Sequence, residues 1–337
     1  MEQVLSGTKD ISGSGAPRQP RISVIIPSYN TADLIAACLD SVLAQTYADF
    51  EVIVVNDGSP DTAELEKVLE PYMSRIVYIK QENKRAAGAR NNAIRQARGE
   101  FVAFLDSDDT WLPNHLALQM KLLEKDPALD LVYANGLMIE GTAERDFMEK
   151  CPSSGPATFE ALIMERCQIS ISTVVARKKT LIDAGLFDEK LPRCDDYDLW
   201  VRSAFHGAKI GYGRTVQARL LVSRPGCLSA SSVKMTEASW NILENFRTSL
   251  PLKPGERALV EKRSGEIKAM HQLEKAKAKI GEGELGEARK LMAEANSHLH
   301  RPKLSLAVLG LGIAPNATAK LISFLTRRRN GTSVGAN

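Results

Sequence analysis

Three carboxylates close a strongly apolar run, Phe101-Val102-Ala103-Phe104-Leu105, as Asp106-Ser107-Asp108-Asp109. Like charges crowded at the mouth of a buried strand repel one another and lose hydration, so the pattern asks for a cation among them. Oxygen-only donors without a nearby His or Cys select Mg2+ or Mn2+, and Mg2+ held by one or two carboxylates shares its remaining positions with phosphate oxygens. A solvated acidic turn before a helix is the alternative. A second pair, Asp195-Asp196, follows about 90 residues downstream. It opens a predicted helix, where the dipole favours negative charge and each carboxylate raises the proton affinity of its neighbour.

The elements that must position these acids follow from hydrophobic periodicity. Apolar runs at 22–26, 50–55, 75–79 and 101–105 alternate with amphipathic segments at 32–44, 61–70 and 87–98. This βαβαβαβ pattern predicts a Rossmann-like, mostly parallel sheet covered on both faces, with ligands gathered at the carboxyl ends of its strands. Pro27-Ser28-Tyr29-Asn30 follows the first run, Asn56-Asp57-Gly58-Ser59 the second, and the acidic cluster the fourth. Further on, a helix is predicted over 113–125 and a strand over 131–139. A loop at 151–156 leads to a helix near 158–166, then a β-branched run at 169–175. A helix from Asp195 or Asp196 to His206 and extended chain over 209–223 complete this part. Beyond Val233 only helical patterns remain. The stretch 282–297 resembles one helix pair of a tetratricopeptide array, without a second copy at the expected period. The predicted organisation is a disordered leader over 1–20, an α/β domain over 21–232, an all-helical appendage over 233–330 and a disordered tail over 331–337.

Composition narrows the class. The net charge of +3 over 337 residues conceals an asymmetry, because Lys and Arg outnumber Asp and Glu 16 to 8 over 251–337 while residues 1–250 carry −5. Aromatic residues do not interleave with the basic ones there, which argues against nucleic acid. Five scattered cysteines suggest neither a disulfide framework nor a zinc site. The N-terminus has no apolar core of a signal peptide, so a cytoplasmic location is expected. A dinucleotide oxidoreductase would need Gly-x-Gly-x-x-Gly after the first strand, where Pro27-Ser28-Tyr29-Asn30 stands.

Five segments in order, over roughly 21–229, resemble family 2 glycosyltransferases of the GT-A fold. They are Ile22 to Asn30 (ISVIIPSYN), Phe50 to Ser59 (FEVIVVNDGS), Gly88-Ala89-Arg90-Asn91, Phe104 to Asp109 (FLDSDD), and Gly185-Leu186-Phe187-Asp188 leading to Asp195-Asp196-Tyr197-Asp198-Leu199-Trp200. The resemblance implies a metal-dependent, inverting transferase that moves a sugar from a nucleotide diphosphate, by preference UDP, to a hydroxyl. The implied acceptor is a glycan or lipid-linked glycan in cell-surface or extracellular polysaccharide synthesis. A polyprenyl-phosphate glycosyl synthase and an inactive nucleotide-sugar-binding scaffold are the competing readings.

By the same resemblance, Pro27, Tyr29, Asn30 and Asp57 hold base and ribose. Asp106 and Asp108 form the DXD pair that meets ribose and Mn2+ or Mg2+, with Asp109 as alternate ligand or helix cap. Arg90 adds positive charge or holds Asp106. Asp196 is the catalytic base and Asp195, where the family usually has Glu, its support; both could instead merely cap the helix. Asp57 could instead open an Asp-Gly turn. Asn83 is followed by Lys84-Arg85 where a Gly is common in the family, and Arg224 either supplies a late diphosphate contact or is simply a solvated loop residue. Trp200 is expected in the core, His115 and His206 on the surface. The stretch 301–329 carries no acid, basic flanks and an 11-residue apolar run, too short to span. It either lies on an anionic membrane, at the inner face of the plasma membrane, or docks back on the protein.

Overall fold

The four apolar runs become neighbouring strands, since a sheet covered by helices leaves little solvated surface for polar side chains. The computed structural model describes residues 3–5, 19–149, 153, 155–222 and 231–331, with the backbone alone at 3–5 and 326–331. Most of the leader, Cys151, Pro152 and Ser154 of the 151–156 loop, Arg224-Pro225-Gly226 and the tail beyond 331 lie outside the described residues. The first unit, Met1–Arg224, contains the sheet. Strands β2 (Ile22–Ser28), β3 (Phe50–Asp57), β4 (Val77–Gln81) and β5 (Phe101–Phe104) run parallel in the order β4-β3-β2-β5. The register sets Ile22 beside both Phe50 and Phe101, and Ile53 beside Val77. Between them lie α1 (Ile35–Leu43), α2 (Thr62–Leu69) and α3 (Arg85–Gln96).

Side-chain alternation splits the core. Val24, Ile26, Val52 and Val54 share one cluster with Ile35 and Leu39 of α1 and Leu65 and Leu69 of α2. Ile25, Ile53 and Val55, offset by one residue, are buried as well, and α3 packs on β2 and β3. Strand order reverses between β2 and β5, because the chain builds outward from β2 through β3 and β4 and then returns to its other side. Such a switch point leaves a crevice at the strand ends.

Beyond β5 come β6 (Thr110–Trp111), α4 (His115–Lys125), β7 (Leu131–Glu140), β8 (Ala143–Asp146), α5 (Phe159–Ile163), β9 (Val175–Arg177), α6 (Lys178–Asp183), α7 (Asp195–Phe205) and β10 (Ile210–Leu221). Here the sheet becomes mixed: β9 runs antiparallel between β5 and β7, and β10 pairs parallel with β7 and antiparallel with β6.

Two expectations are corrected. The leader is not structureless throughout, since β1 (Gln3–Leu5) pairs antiparallel with β4, whose outer edge offers backbone groups to any nearby extended segment. Within the β-branched run 169–175, Ile171–Thr173 forms a 3-10 turn, because the Ser172 and Thr173 side chains bond locally and to the loop after β5. His115 is not on the surface. It is fully buried on the inner face of α4 with Leu116, Gln119, Met120 and Leu123, stacked on Trp111 at 4.3 Å. Burial pushes its pKa down to about 3, against a smaller opposing effect of Gln217, so it packs as a neutral ring. His206 is exposed and Trp200 is buried against Phe104 and Phe187.

The second unit, Pro225–Asn337, holds α8 (Ser232–Ser249), α9 (Pro254–Gly281), α10 (Leu285–Leu299), α11 (Pro302–Ile313) and α12 (Pro315–Gly331). Packing runs between successive helices from α8 to α12. Among the described residues, no helix is long and apolar enough to cross a membrane.

Candidate active site

The acids after β5 converge. One carboxylate oxygen each from Asp106, Asp108 and Asp109 lies within 4.8 Å of the others. The turn that gathers them is closed by the Asp109 N–H donating to the Asp106 carbonyl at 3.0 Å. Ser172 braces it: its hydroxyl accepts from the Asp106 N–H at 3.1 Å and donates to Asp109 Oδ2 at 2.5 Å. The Leu221 N–H at the end of β10 donates to Asp109 Oδ1 at 2.8 Å. Asp109 therefore ties β10 to the cluster and does not cap α4, whose N-cap is Asn114. Burial, and after it the charges of Asp106 and Asp108, hold the Asp109 carboxyl well above the usual carboxylate range. Three crowded oxygen donors of one sign fit a hard divalent cation, which would lower this mutual repulsion. Beneath them the buried Cys38 thiol faces the Asp106 carbonyl at 3.7 Å, and burial followed by the three carboxylates pushes its pKa up.

Arg90 joins the two acidic segments. Its Nη2 donates to Asp106 Oδ1 at 2.6 Å and its Nη1 to Asp195 Oδ2 at 2.9 Å. The guanidinium is 6% exposed and sits 5.5 Å from the Phe187 ring centre. Desolvation disfavours its charge, but Asp106 and Asp195 outweigh that cost and raise its pKa further above the ordinary arginine value. A planar fork with fixed donors can hold two carboxylates 89 positions apart in sequence in a single arrangement.

The loop before α7 is anchored from both sides. Asn91 Nδ2 donates to the Phe187 carbonyl at 2.9 Å, and the Phe187 N–H returns a bond to Asn91 Oδ1 at 3.0 Å. Arg202 donates to the carbonyls of Ala184 and Leu186 while paired with Asp198. The Phe187 ring meets Phe104 edge-on at 5.5 Å. Asn91→Ala is expected to strand both Phe187 backbone groups and cost about 2–4 kcal/mol. A lower urea midpoint at unchanged m-value would show it.

Asp195 and Asp196 occupy the first turn of α7 behind Cys194, which adopts a left-handed conformation with φ of 57°. Asp195 is buried against Arg90; Asp196 is half-buried and accepts from the Tyr197 N–H at 2.8 Å. Burial, reinforced by the Asp195 charge, raises the Asp196 pKa to about 6, with Arg90 and the Tyr197 N–H opposing. A carboxylate with that affinity can take a proton near neutral pH.

The residues after β2 and β3 form a third group. Asp57 is buried, its Oδ1 accepting from Gln81 Nε2 at 2.7 Å and the Lys84 N–H at 2.8 Å, and burial raises its pKa. Gly58 has φ of +63°, and a Cβ there would lie 2.7 Å from the Asn83 backbone nitrogen, so the Asp-Gly turn and the anchoring carboxylate coexist. Arg85 stands in left-handed conformation at the start of α3, with φ of 61°, next to Lys84 in the loop where the family often has Gly. Asn30 also has positive φ, its N–H donating to Ser59 Oγ at 2.6 Å; Tyr29 is half exposed and Pro27 partly buried. A hydroxyl chain, Ser28 to Thr31 to Ser107 at 2.9 Å per step, links this group to the acidic turn. Thr31, Ser107, Ser172 and Arg202 escaped the sequence reading. Only Arg202 carried a signal, its spacing of four from Asp198 on one helix.

The family model for Glycosyl transferase family 2 matches residues 23–173. The chain is 33% identical over 230 residues to the Escherichia coli UDP-Glc:alpha-D-GlcNAc-diphosphoundecaprenol beta-1,3-glucosyltransferase WfgD, covering 67% of this chain and 86% of that one. The chain belongs to glycosyl transferase family 2. This family 2 chain spans only about a third of the length of three Rickettsia relatives that it also matches. In fold it is similar to S. aureus TarS residues 1–349 in complex with UDP-GlcNAc, at a TM-score of 0.60 and 18% identity over 92% of each chain. It is equally similar to the Pyrobaculum calidifontis mannosyltransferase PcManGT in complex with GDP-Man and Mn2+, at 0.60 and 20% over 94% of this chain and 88% of that one. The mixed α/β sheet with a helical C-terminal region is thus a shared glycosyltransferase architecture, of the GT-A class.

Proposed function

We propose that this chain is an inverting, divalent-metal-dependent glycosyltransferase that moves a sugar from a UDP-sugar to a hydroxyl of a lipid-linked glycan in cell-surface polysaccharide synthesis. The observation that carries the reading is the Arg90 bridge, which holds the DXD-type acids and the Asp195-Asp196 pair on one side chain. In this reading Pro27, Tyr29, Asn30 and Asp57 grip base and ribose, Asp106 the ribose and metal, and Asp108 the metal. Asp109 serves the turn, since both its oxygens accept protein hydrogen bonds. When bound, Mn2+ or Mg2+ supplies Lewis-acid stabilisation of the departing diphosphate.

Asp196 accepts the acceptor hydroxyl proton as the new bond to the anomeric carbon forms, and the electron pair of the cleaved bond leaves on the diphosphate oxygen. Base and leaving group on opposite faces of the sugar invert its configuration. A lipid-linked acceptor is supported by the similarity to WfgD, whose name gives an alpha-D-GlcNAc-diphosphoundecaprenol acceptor; in this reading the reaction takes place at the cytoplasmic face of the membrane. Transfer of radiolabelled sugar from a panel of UDP-sugars to polyprenyl-diphosphate-linked acceptors tests the reading; no transfer to any of them, with transfer to polyprenyl phosphate instead, would replace it by a synthase. Asp108→Ala is expected to abolish the Mn2+-dependent gain in UDP affinity in calorimetry, and an undiminished gain would remove Asp108 from the metal site.

A further inference from the structure

We infer that the α11–α12 hairpin is the surface by which this chain docks on an anionic lipid bilayer. The inference deepens the lipid-linked acceptor reading and rests on it for its purpose. Six of the nine exposed large hydrophobic side chains among the described residues fall within 306–325: Leu306, Leu309, Ile313, Leu321, Phe324 and Leu325, each between 54% and 75% exposed. Leu309 and Ile313 lie three and seven positions beyond Leu306, and Phe324 and Leu325 three and four beyond Leu321, so each trio lies on one face of its helix.

These faces are not the ones that hold the hairpin to its own unit. Leu311 and Ala319 are buried in a cluster with Ala276, Ile280, Ala288 and Leu291 of α9 and α10. At Gly310 the two helices approach so closely that a Cβ would lie 2.7 Å from Thr318 Oγ1. The hairpin therefore packs on its own unit through one side of its helices and leaves the other side exposed.

Charge selects the partner. Arg301, Lys303 and Lys320 are exposed, Arg327-Arg328-Arg329 follow in sequence, and no Asp or Glu occurs from 301 to the end. A second copy of the hairpin would bring the same positive charge to the contact, whereas an anionic leaflet attracts it and accepts the apolar faces. The 12 residues of α11 extend about 18 Å, short of the roughly 30 Å hydrocarbon core, so the hairpin lies along the interface.

Flotation of the full chain tests this with vesicles of phosphatidylcholine alone and of phosphatidylcholine mixed with phosphatidylglycerol. Binding is expected on the mixed vesicles, release at high salt, and about fivefold weakening for each of Lys303→Ser and Lys320→Ser. The combined Leu306→Glu, Leu309→Glu and Ile313→Glu variant should lose flotation while keeping its circular dichroism and melting temperature. Equal binding to neutral vesicles, no flotation at all, or a dimer in light scattering that the triple variant breaks without any vesicle binding would overturn the inference. Transfer to a water-soluble acceptor analogue, measured in parallel, separates the two readings. Absent flotation with intact transfer strikes only the docking surface, and flotation without transfer strikes only the catalytic reading.

Discussion

Asp196→Asn is expected to lower kcat for sugar transfer by about 10² to 10⁴-fold, the contribution of a positioned base, while UDP affinity measured by calorimetry stays intact. The amide keeps the shape of the carboxyl group and its place on the first turn of α7, so the loss isolates proton transfer. Because Asp196 titrates at about 6 in the free protein, kcat/KM of the parent should rise with pH through that value. The sign for stability is opposite. The native carboxyl keeps its proton up to about pH 6, whereas an unfolded Asp releases it near pH 4, so between these values the native state binds more protons and stability falls as pH rises. Asp196→Asn, which cannot ionise, should therefore melt no lower than the parent at pH 8, and any advantage should shrink toward pH 4. Transfer at the parental rate in this variant would remove Asp196 from the chemistry.

Arg90→Leu is expected to be the most destabilising single change in the site. It leaves Asp195 buried and Asp106 partly buried without their shared cation, and breaking a buried pair from one side costs about 3–5 kcal/mol. For a unit of this size that is a fall in Tm of roughly 6–20 °C. Since the Arg90 charge opposes the raised affinity of Asp196, its removal should also move the acid limb of kcat/KM above pH 6. Arg90→Lys retains the charge without the two-pronged geometry, so it should recover part of the Tm and little of the rate. An Arg90→Leu variant with parental Tm and an unshifted limb would show that the bridge organises nothing.

The contrast between these residues marks what a one-dimensional reading can reach. Asp106 and Asp108 stood out because crowded charge at the end of an apolar run is itself a local signal, Asp196 was reached only through the family resemblance, and the parallel strands were visible because buried strands need unbroken Val, Ile and Phe. Ser172 was not, because a serine in a β-branched run has no local mark of the two hydrogen bonds it makes across 66 and 63 positions. His115 misled for the converse reason. A polar residue at a helix start belongs by default to the surface, and only the stacking of Trp111 and the closeness of the sheet bury it.

Sequence by itself determined the alternation that builds β2 to β5 and the chemical types of the acids, since each depends on periodicity or composition within a short window. Tertiary structure alone decided that Arg90 joins Asp106 to Asp195, that Asp109 braces a turn, that β9 enters antiparallel between β5 and β7, and which faces of α11 and α12 are left to solvent. Those outcomes depend on distances between segments far apart in the chain. Such distances emerge only once burial of the apolar faces has fixed the layers.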